Sequence, residues 1–135
     1  LGRSAPAGLP DVLLDAPPGV SCPATAAVAG ADCIVLVAEP TPFGLHDLRL
    51  AVEAFTPLGR PMGVVVNRAG SGDAALGRFC REAGLPILAE IPDDRKVAET
   101  YARGGLLAEA APGYRGLCLG LATAVAGLAR EVRPA

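Results

Sequence analysis

The sequence predicts a layered α/β fold, with a parallel sheet of about four strands flanked by helices. Four apolar runs alternate with helical segments along 135 residues, a length that suits one compact domain covering residues 1–135. Short connections rich in Pro and Gly separate the segments. Because consecutive parallel strands need helical crossovers, this alternation is typical of a parallel sheet with right-handed connections.

The first two strands differ in character. Residues 12–14 form a short apolar run that ends at Asp15 and is stopped by a Pro-Pro-Gly breaker. A helix should follow, with Pro23 in its first turn and its end near Gly30. Residues 33–38 are apolar without alternation, which predicts a strand buried on both faces of the sheet.

The remaining elements follow from the same signals. Thr41 can cap a helix that extends to Phe55, because its apolar residues recur at the i, i+3, i+4 spacing of one helix face. The later elements are each closed by Gly, Pro or a polar residue, and they are predicted as strand 62–66, helix 73–83, strand 87–91, helix 96–103 and a final helix over about 113–132 that packs across the sheet.

Composition excludes several classes of protein. Twelve basic and 14 acidic residues are dispersed along the chain and give a net charge of −2, so no basic surface for nucleic acid is expected. No apolar run reaches the roughly 18–20 residues that a membrane span requires. The four cysteines contain no C-x-x-C pair, which favours reduced thiols and a cytoplasmic location.

Polar residues follow every predicted strand directly. Since ligands of parallel α/β sheets bind outside the carboxyl ends of the strands, these residues should line one ligand-binding edge. The four groups are Asp15 to Gly19, Glu39 to Thr41, Asn67 with Arg68, and Pro92 to Asp94.

These groups resemble the MinD/ParA/Mrp group of P-loop ATPases, which includes the CobQ/CobB/MinD/ParA nucleotide-binding domains. Three stretches are similar to MinD-superfamily members that carry an inserted ferredoxin domain: APPGVSCP at 16–23, EPTPFGLHDL at 39–48 and VVVNR at 64–68. The resemblance covers about residues 11–109 and implies part of a Rossmann-like P-loop NTPase fold.

The resemblance implies catalytic roles for Asp15 and Gly19. Asp15 matches the carboxylate that holds the nucleotide magnesium, usually through water, a role that suits magnesium because it keeps much of its hydration. Gly19 matches the switch glycine whose backbone N–H meets the γ-phosphate, while Pro17 and Pro18 stiffen its hinge. The alternative interpretation of this segment is an ordinary turn between a strand and a helix.

A second set of residues is expected to bind the base. The resemblance puts Asn67 at the adenine edge, where an amide can both donate and accept hydrogen bonds, with Arg68 beside it. Pro92 and Asp94 would form the opposite wall, mostly through backbone groups. Polarity of ordinary loops is the alternative explanation.

Three further features are interpreted through the resemblance. Residues 39–47 correspond to the surface that faces a partner subunit or client in related ATPases. His46, the single histidine, receives no catalytic role. Cys22 has a position similar to that of a cluster-binding cysteine near the switch of the nitrogenase iron protein, but we prefer to interpret it as a small half-buried thiol.

The chain also departs from the family pattern. It has no G-x-x-x-x-G-K-[ST] loop, a single lysine and no closely spaced ferredoxin cysteines, so it is similar to the carboxy-terminal portion only. The intact protein is expected to be an ATP-hydrolysing homodimeric switch that uses ATP and Mg²⁺, carries 4Fe–4S clusters in its ferredoxin insertion and serves a redox or iron–sulfur client. This portion alone is expected to be inactive and to hold no cofactor.

Two other functions remain open from the sequence. The chain could be a non-enzymatic interaction domain, which the absent phosphate-binding loop favours for this portion. It could also belong to a cobyrinic acid a,c-diamide synthase-like ATP-dependent synthetase, although no glutaminase nucleophile is visible.

Overall fold

The computed structural model describes residues 12–70 and 72–130. Strands and helices alternate along these residues up to the third strand, as the sequence predicts, and three helices follow it. Their bounds are α1 Cys22–Ala29, β1 Ile34–Ala38, α2 Pro42–Phe55, β2 Met62–Ala69, α3 Asp73–Glu82, β3 Ile87–Pro92, α4 Arg95–Ala102, α5 Leu107–Ala110 and α6 Pro112–Arg130, with a 3-10 turn at Thr56–Leu58.

The strands form one parallel sheet in the order β1-β2-β3. Ile34 lies opposite Met62 and Ala38 opposite Val66, so β1 and β2 run in an uninterrupted register. The register of β2 against β3 is shifted twice, once after Val64 and once between Asn67 and Ala69. The predicted α/β fold with a parallel sheet is therefore confirmed, with three strands in the described part of the chain.

The prediction of a first strand at residues 12–14 is wrong. This segment has no strand structure, and Val12, Leu13 and Leu14 leave 75%, 93% and 57% of their surface exposed. A strand needs a neighbour to satisfy its backbone hydrogen bonds, and a run of three residues has little apolar area with which to recruit one. Among the described residues, β1 pairs with β2 and no strand lies on its other side.

The main core lies between one face of the sheet and helices α2 and α3. Side chains at alternate positions of β1 and β2 point to this face, as the two-residue period of a strand requires. The residues that form it are Ile34, Leu36, Ala38, Leu48, Phe55, Val64, Val66, Leu76, Cys80 and Leu85. This packing fixes the direction of β1 and β2, and the parallel pairing of β3 with β2 gives the third strand the same direction.

The opposite face is covered unevenly. Helix α6 lies against β3 and β2, and Val65 of β2 is 3% exposed. Val37 is the register partner of Val65 on β1, yet it is 66% exposed. The prediction that this strand is buried on both faces is therefore wrong at Val37, because α6 covers the β2–β3 side of the sheet.

The predicted helix starts agree well with the structure. Thr41 caps α2, and its side-chain oxygen accepts a hydrogen bond from the Gly44 backbone N–H at 3.0 Å. Ser21 precedes α1, and Pro23 lies in its first turn. Gly84, with φ of 67°, closes the turn after α3, a conformation that glycine adopts without steric cost. Helix α5 was not predicted.

Candidate functional site

The carboxyl ends of the three strands meet at one edge and enclose an open groove of about 430 Å³. Loops from three of the four polar groups contribute to it, as expected for a parallel sheet. Its lining residues are Glu39, Pro40, Thr41, Arg68, Ala69, Gly70 and Asp93. The groove therefore brings the end of β1, the end of β2 and the loop after β3 together.

Arg68 lies at the centre of this groove because of the second register shift. Asn67 lies opposite Ile91 and Ala69 opposite Pro92, so Arg68 is an extra residue that bulges out of the ladder. Its Nε lies 3.4 Å from Oδ1 of Asp93, and its Nη1 lies 4.0 Å from Oε2 of Glu39. The guanidinium thus bridges the loops that follow β1 and β3.

The backbone of Arg68 is unusual. Its φ is 57°, and among the described residues Arg68 is the single non-glycine residue with a positive φ. A left-handed conformation costs a residue with a Cβ roughly 1–2 kcal/mol, whereas an exposed ion pair contributes about 0.2–1 kcal/mol. The two exposed pairs offset this cost at best, so stability alone does not explain an arginine here.

The loop after β1 is built by short-range backbone contacts. The Thr41 N–H donates to the Glu39 carbonyl at 2.8 Å, and the Leu45 N–H donates to the Thr41 carbonyl at 2.9 Å. Gly44 approaches this loop so closely that a Cβ there would collide with the Glu39 carbonyl oxygen. Glu39 is therefore held directly against the first turn of α2.

Asp94 begins α4 and anchors α6. Its Oδ1 accepts a hydrogen bond from the Lys96 backbone N–H at 2.8 Å, and its Oδ2 accepts one from the Tyr114 hydroxyl, also at 2.8 Å. These two bonds, with the Lys96 amide contributing most, lower the pKa of Asp94. Both carboxylate oxygens are thus engaged within the protein, and the backbone carbonyl of Asp94 accepts from the Val97 and Ala98 N–H groups at 3.0 and 3.3 Å.

Pro92 lines a different cavity. This apolar cavity of about 250 Å³ lies between the end of β3 and the start of α6. Its lining residues are Pro92, Ala111, Gly113, Tyr114 and Leu117. Pro92 and Arg68 therefore face separate spaces on either side of the loop after β3.

Asn67 lies at the end of β2, opposite Ile91 of β3, and is partly exposed. It does not line the groove around Arg68. Arg68 is the extra residue of the bulge. The two-residue period of a strand therefore does not set the direction of its side chain relative to that of Asn67. The role of Asn67 in base binding stays a prediction.

The segment with Asp15 and Gly19 lies apart from this groove. Asp15, Pro17, Pro18 and Gly19 are all exposed, and none of them lines it. Gly19 has φ of 79°, a conformation that favours glycine over other residues at this turn. Of the residues predicted to bind the base, Arg68 lines this groove, whereas Pro92 lines the other cavity and Asn67 lines neither.

Metal-binding side chains do not cluster in the described part of the chain, which contains no group of three or more His, Cys, Asp and Glu residues suited to a metal ion. Cys22 is exposed, so our interpretation of it as a half-buried thiol is wrong in its burial. It lies at the first position of α1, and the turn before this helix leaves it open to solvent.

Sequence reasoning missed the ion pairs of Arg68 and the Asp94–Tyr114 hydrogen bond. A sequence signal for the first exists, because opposite charges at the ends of neighbouring parallel strands are expected to meet at one edge. Tyr114 is 20 residues from Asp94, and no local pattern indicates their contact.

A parallel α/β sheet with polar loops at its strand ends belongs to the class of folds that bind ligands at this edge. The chain is similar to the MinD cell division protein of Aquifex aeolicus, with TM-score 0.67, 21% identity, and coverage of 83% of this chain and 51% of that one. It is also similar to the cell division ATPase MinD of Pyrococcus furiosus, with TM-score 0.67, 24% identity, and coverage of 84% and 50%. The chain thus has the MinD fold in part, and the fold that the resemblance implies is confirmed.

Two curated relatives come from Methanocaldococcus jannaschii. One is an uncharacterized protein, 30% identical over 92 residues, which are 68% of this chain and 31% of the relative. The other is an uncharacterized ATP-binding protein, 35% identical over 89 residues, which are 64% and 34% of the two chains. The chain therefore spans about a third of the length of these relatives. No protein-family profile matches the sequence.

None of the helices within residues 12–70 and 72–130 is long and apolar enough to cross a bilayer.

Proposed function

We propose that the chain is part of an ATP-binding, ATP-hydrolysing switch protein of the MinD superfamily. The observation that carries this proposal is the meeting of three polar strand-end loops at one edge of a sheet with the MinD fold. The relative named as an ATP-binding protein gives further support. A groove of about 430 Å³ is also in the range of small-molecule sites, roughly 300–1,000 Å³.

The base-side residues would orient the nucleotide. The Asn67 amide has the donor and acceptor that the adenine edge requires. The apolar ring of Pro92 lines the separate cavity of about 250 Å³ and would contact a base placed in that cavity. The Arg68 guanidinium, bridging the loops beside Asn67, supplies positive charge to an anionic ligand. These residue types fit the base and sugar side of a nucleotide.

The phosphate side would use Asp15 and Gly19. Asp15 is an exposed carboxylate, which suits outer-shell binding of a hydrated magnesium ion. Gly19 already has a positive φ, so its backbone N–H could approach a phosphate without interference from a Cβ. Magnesium-bound ATP would supply a phosphoanhydride bond for hydrolysis. The cradle for the other phosphates belongs to a loop that the resemblance places before this chain.

The finer parts of the proposal depend on the resemblance. They are a homodimer closed by nucleotide, a cytoplasmic location, and coupling to an iron–sulfur client through 4Fe–4S clusters in a ferredoxin insertion. The exposed Phe43, with 83% of its surface accessible on α2, is a suitable anchor for a partner at residues 39–47. An exposed aromatic anchor would serve a non-enzymatic interaction domain equally well.

Nucleotide titration separates the ATPase from the interaction domain. A fluorescent ATP analogue with Mg²⁺ should bind the full-length protein tightly and bind the 135-residue chain weakly, since the phosphate-binding loop is expected outside the chain. Absence of binding to the full-length protein would reject the ATPase proposal and favour the interaction domain.

The role of Asp15 needs a second measurement. Asp15→Asn in the full-length protein should greatly reduce Mg²⁺-dependent ATP hydrolysis, because the amide cannot replace the carboxylate charge near the metal. Asp32→Asn is a matched control that changes another acidic residue, at the loop before β1. Equal turnover in the two variants would remove Asp15 from this role.

A further inference from the structure

We propose that Arg68 is a positioning residue that couples the loop after β3 to the first turn of α2. The groove holds one guanidinium between two carboxylates that come from different loops. The coupling rests on this geometry, and its use in relaying a nucleotide signal rests on the proposed function. It would connect the base side of the site with residues 39–47, the surface expected to face a partner.

The contacts on the β3 side are direct. Arg68 Nε lies 3.4 Å from Oδ1 of Asp93. The Asp93 backbone N–H also donates to the Ala69 carbonyl at 3.0 Å. Asp93 therefore contacts Arg68 through its side chain and Ala69 through its backbone N–H. A shift of the loop after β3 would consequently move Arg68 directly.

The contacts on the α2 side continue the path. Arg68 Nη1 lies 4.0 Å from the Glu39 carboxylate, and the Glu39 carbonyl accepts from the Thr41 N–H. The same carbonyl lies against Gly44, where there is no room for a Cβ. A change in the position of Glu39 would consequently displace the cap and first turn of α2.

The backbone of Arg68 supports a role beyond stability. Glycine would adopt φ of 57° freely, whereas arginine adopts it at a cost that its exposed ion pairs offset at best. A functional need for the side chain explains this choice. Weak, exposed pairs also suit a switch, because an anionic group of a bound nucleotide can replace a carboxylate as the partner of the guanidinium.

Hydrogen exchange of the 135-residue chain tests the coupling without any nucleotide. The variant Asp93→Asn removes one charge partner and does not alter α2 itself. It should change the exchange rates of the Gly44 and Leu45 amides by roughly two- to fivefold, the size expected for exposed ion pairs. Glu90→Gln neutralises an exposed carboxylate on β3 and should leave these rates unchanged. The Leu85 amide, which bonds to Cys80 at the end of α3, should not respond to either variant.

The variant Arg68→Gly completes a double-mutant cycle. Glycine accepts the positive φ, so this variant is expected to fold, and in its background Asp93→Asn should no longer affect the Gly44 and Leu45 amides. Unchanged rates in Asp93→Asn, or equal effects in the two backgrounds, would overturn the coupling. The assay contains no ligand, so it tests the coupling separately from the proposed function. Failure of the full-length protein to bind nucleotide would reject the proposed function and leave the coupling unaffected. Failure of the exchange experiment would reject the coupling and leave nucleotide binding unaffected.

Discussion

The groove around Arg68 and the segment that contains Asp15 and Gly19 belong to the same resemblance, but the structure treats them differently. Arg68 is connected to Glu39 and Asp93, and the loops that bear them are anchored to β2 and α2. Asp15 and Gly19 are exposed and do not line this groove. The described chain therefore holds the groove around Arg68 in place by its own contacts, whereas Asp15 and Gly19 lie outside that set of contacts.

The two regions differ because the apolar burial that stabilises this chain lies in the core beneath the groove. Residues of β1, β2, α2 and α3 share one apolar core, and the strand-end loops inherit their positions from it. Val12, Leu13 and Leu14 are exposed and contribute little burial. A motif can thus be present in the sequence while the packing that would position it is missing from the described residues.

The largest expected effect separates the core from the exposed segment. Leu76 is 1% exposed, so Leu76→Ala should lower the free energy of unfolding by about 2–5 kcal/mol through lost burial and a residual cavity. Leu13 is 93% exposed, and Leu13→Ala should change it by less than about 0.5 kcal/mol. Urea unfolding measures both variants. Similar losses would mean that the segment at residues 12–14 packs against the protein in solution.

The next effect concerns the close approach of α2 to Glu39. Gly44→Ala would force a Cβ against the Glu39 carbonyl and should destabilise the chain by about 1–3 kcal/mol. Gly116 on α6 has open space around it, so Gly116→Ala should stabilise the helix by about 0.5–1 kcal/mol. Opposite signs in thermal unfolding support the tight loop, and equal signs contradict it.

A smaller effect tests the cap of α2. Thr41→Ala removes the acceptor of the Gly44 N–H and should cost about 0.5–2 kcal/mol. Ser21 occupies the same position before α1 but makes no side-chain cap hydrogen bond, so Ser21→Ala should be nearly neutral. Chemical denaturation compares the two. An equal cost would show that the capping bond of Thr41 does not stabilise α2.

The smallest effects appear as pH dependence. Hydrogen bonds from the Lys96 amide and then from Tyr114 lower the pKa of Asp94, so its stabilising contribution is present above the unfolded pKa of about 3.9 and is lost as the pH falls through the folded value. Burial, and then the bond to Asp94, raise the pKa of Tyr114. Its contribution is present below about pH 10 and is lost as the pH rises through the folded value.

Denaturant unfolding across pH checks both signs. Tyr114→Phe should flatten the alkaline loss of stability, and Asp94→Asn should flatten the acid loss. Profiles parallel to that of the unmodified chain would contradict the assignment of these shifts to the Asp94–Tyr114 pair.

Local features of the fold were predictable from the sequence. The bounds of α2 follow from a capping Thr41, a proline at the first helical position and an apolar stripe of helical period, all of which act within one or two turns. The direction of the strand-end loops follows from the parallel sheet. These signals need no knowledge of distant contacts, and the structure agrees with them.

Features that depend on distant partners were not predictable. Residues 12–14 have the apolar character of a strand, but strand formation depends on a neighbour that sequence pattern cannot supply. Val37 lies in an apolar run, and its exposure depends on where α6 lies across the sheet. Strand-end charges indicate that Arg68 lies near acidic residues, but the bulge between β2 and β3 that sets its conformation has no local signal in the sequence.

Base preference in the full-length protein tests the central claim most directly, namely that the end of β2 is the base-binding side of a nucleotide site. Asn67→Ala should weaken ATP binding by roughly two- to tenfold and reduce the preference for ATP over GTP, because one hydrogen bond to the base contributes about 0.5–1.5 kcal/mol. Glu90→Gln on the neighbouring strand should change neither quantity. Unchanged ATP affinity and base preference in Asn67→Ala would contradict the account.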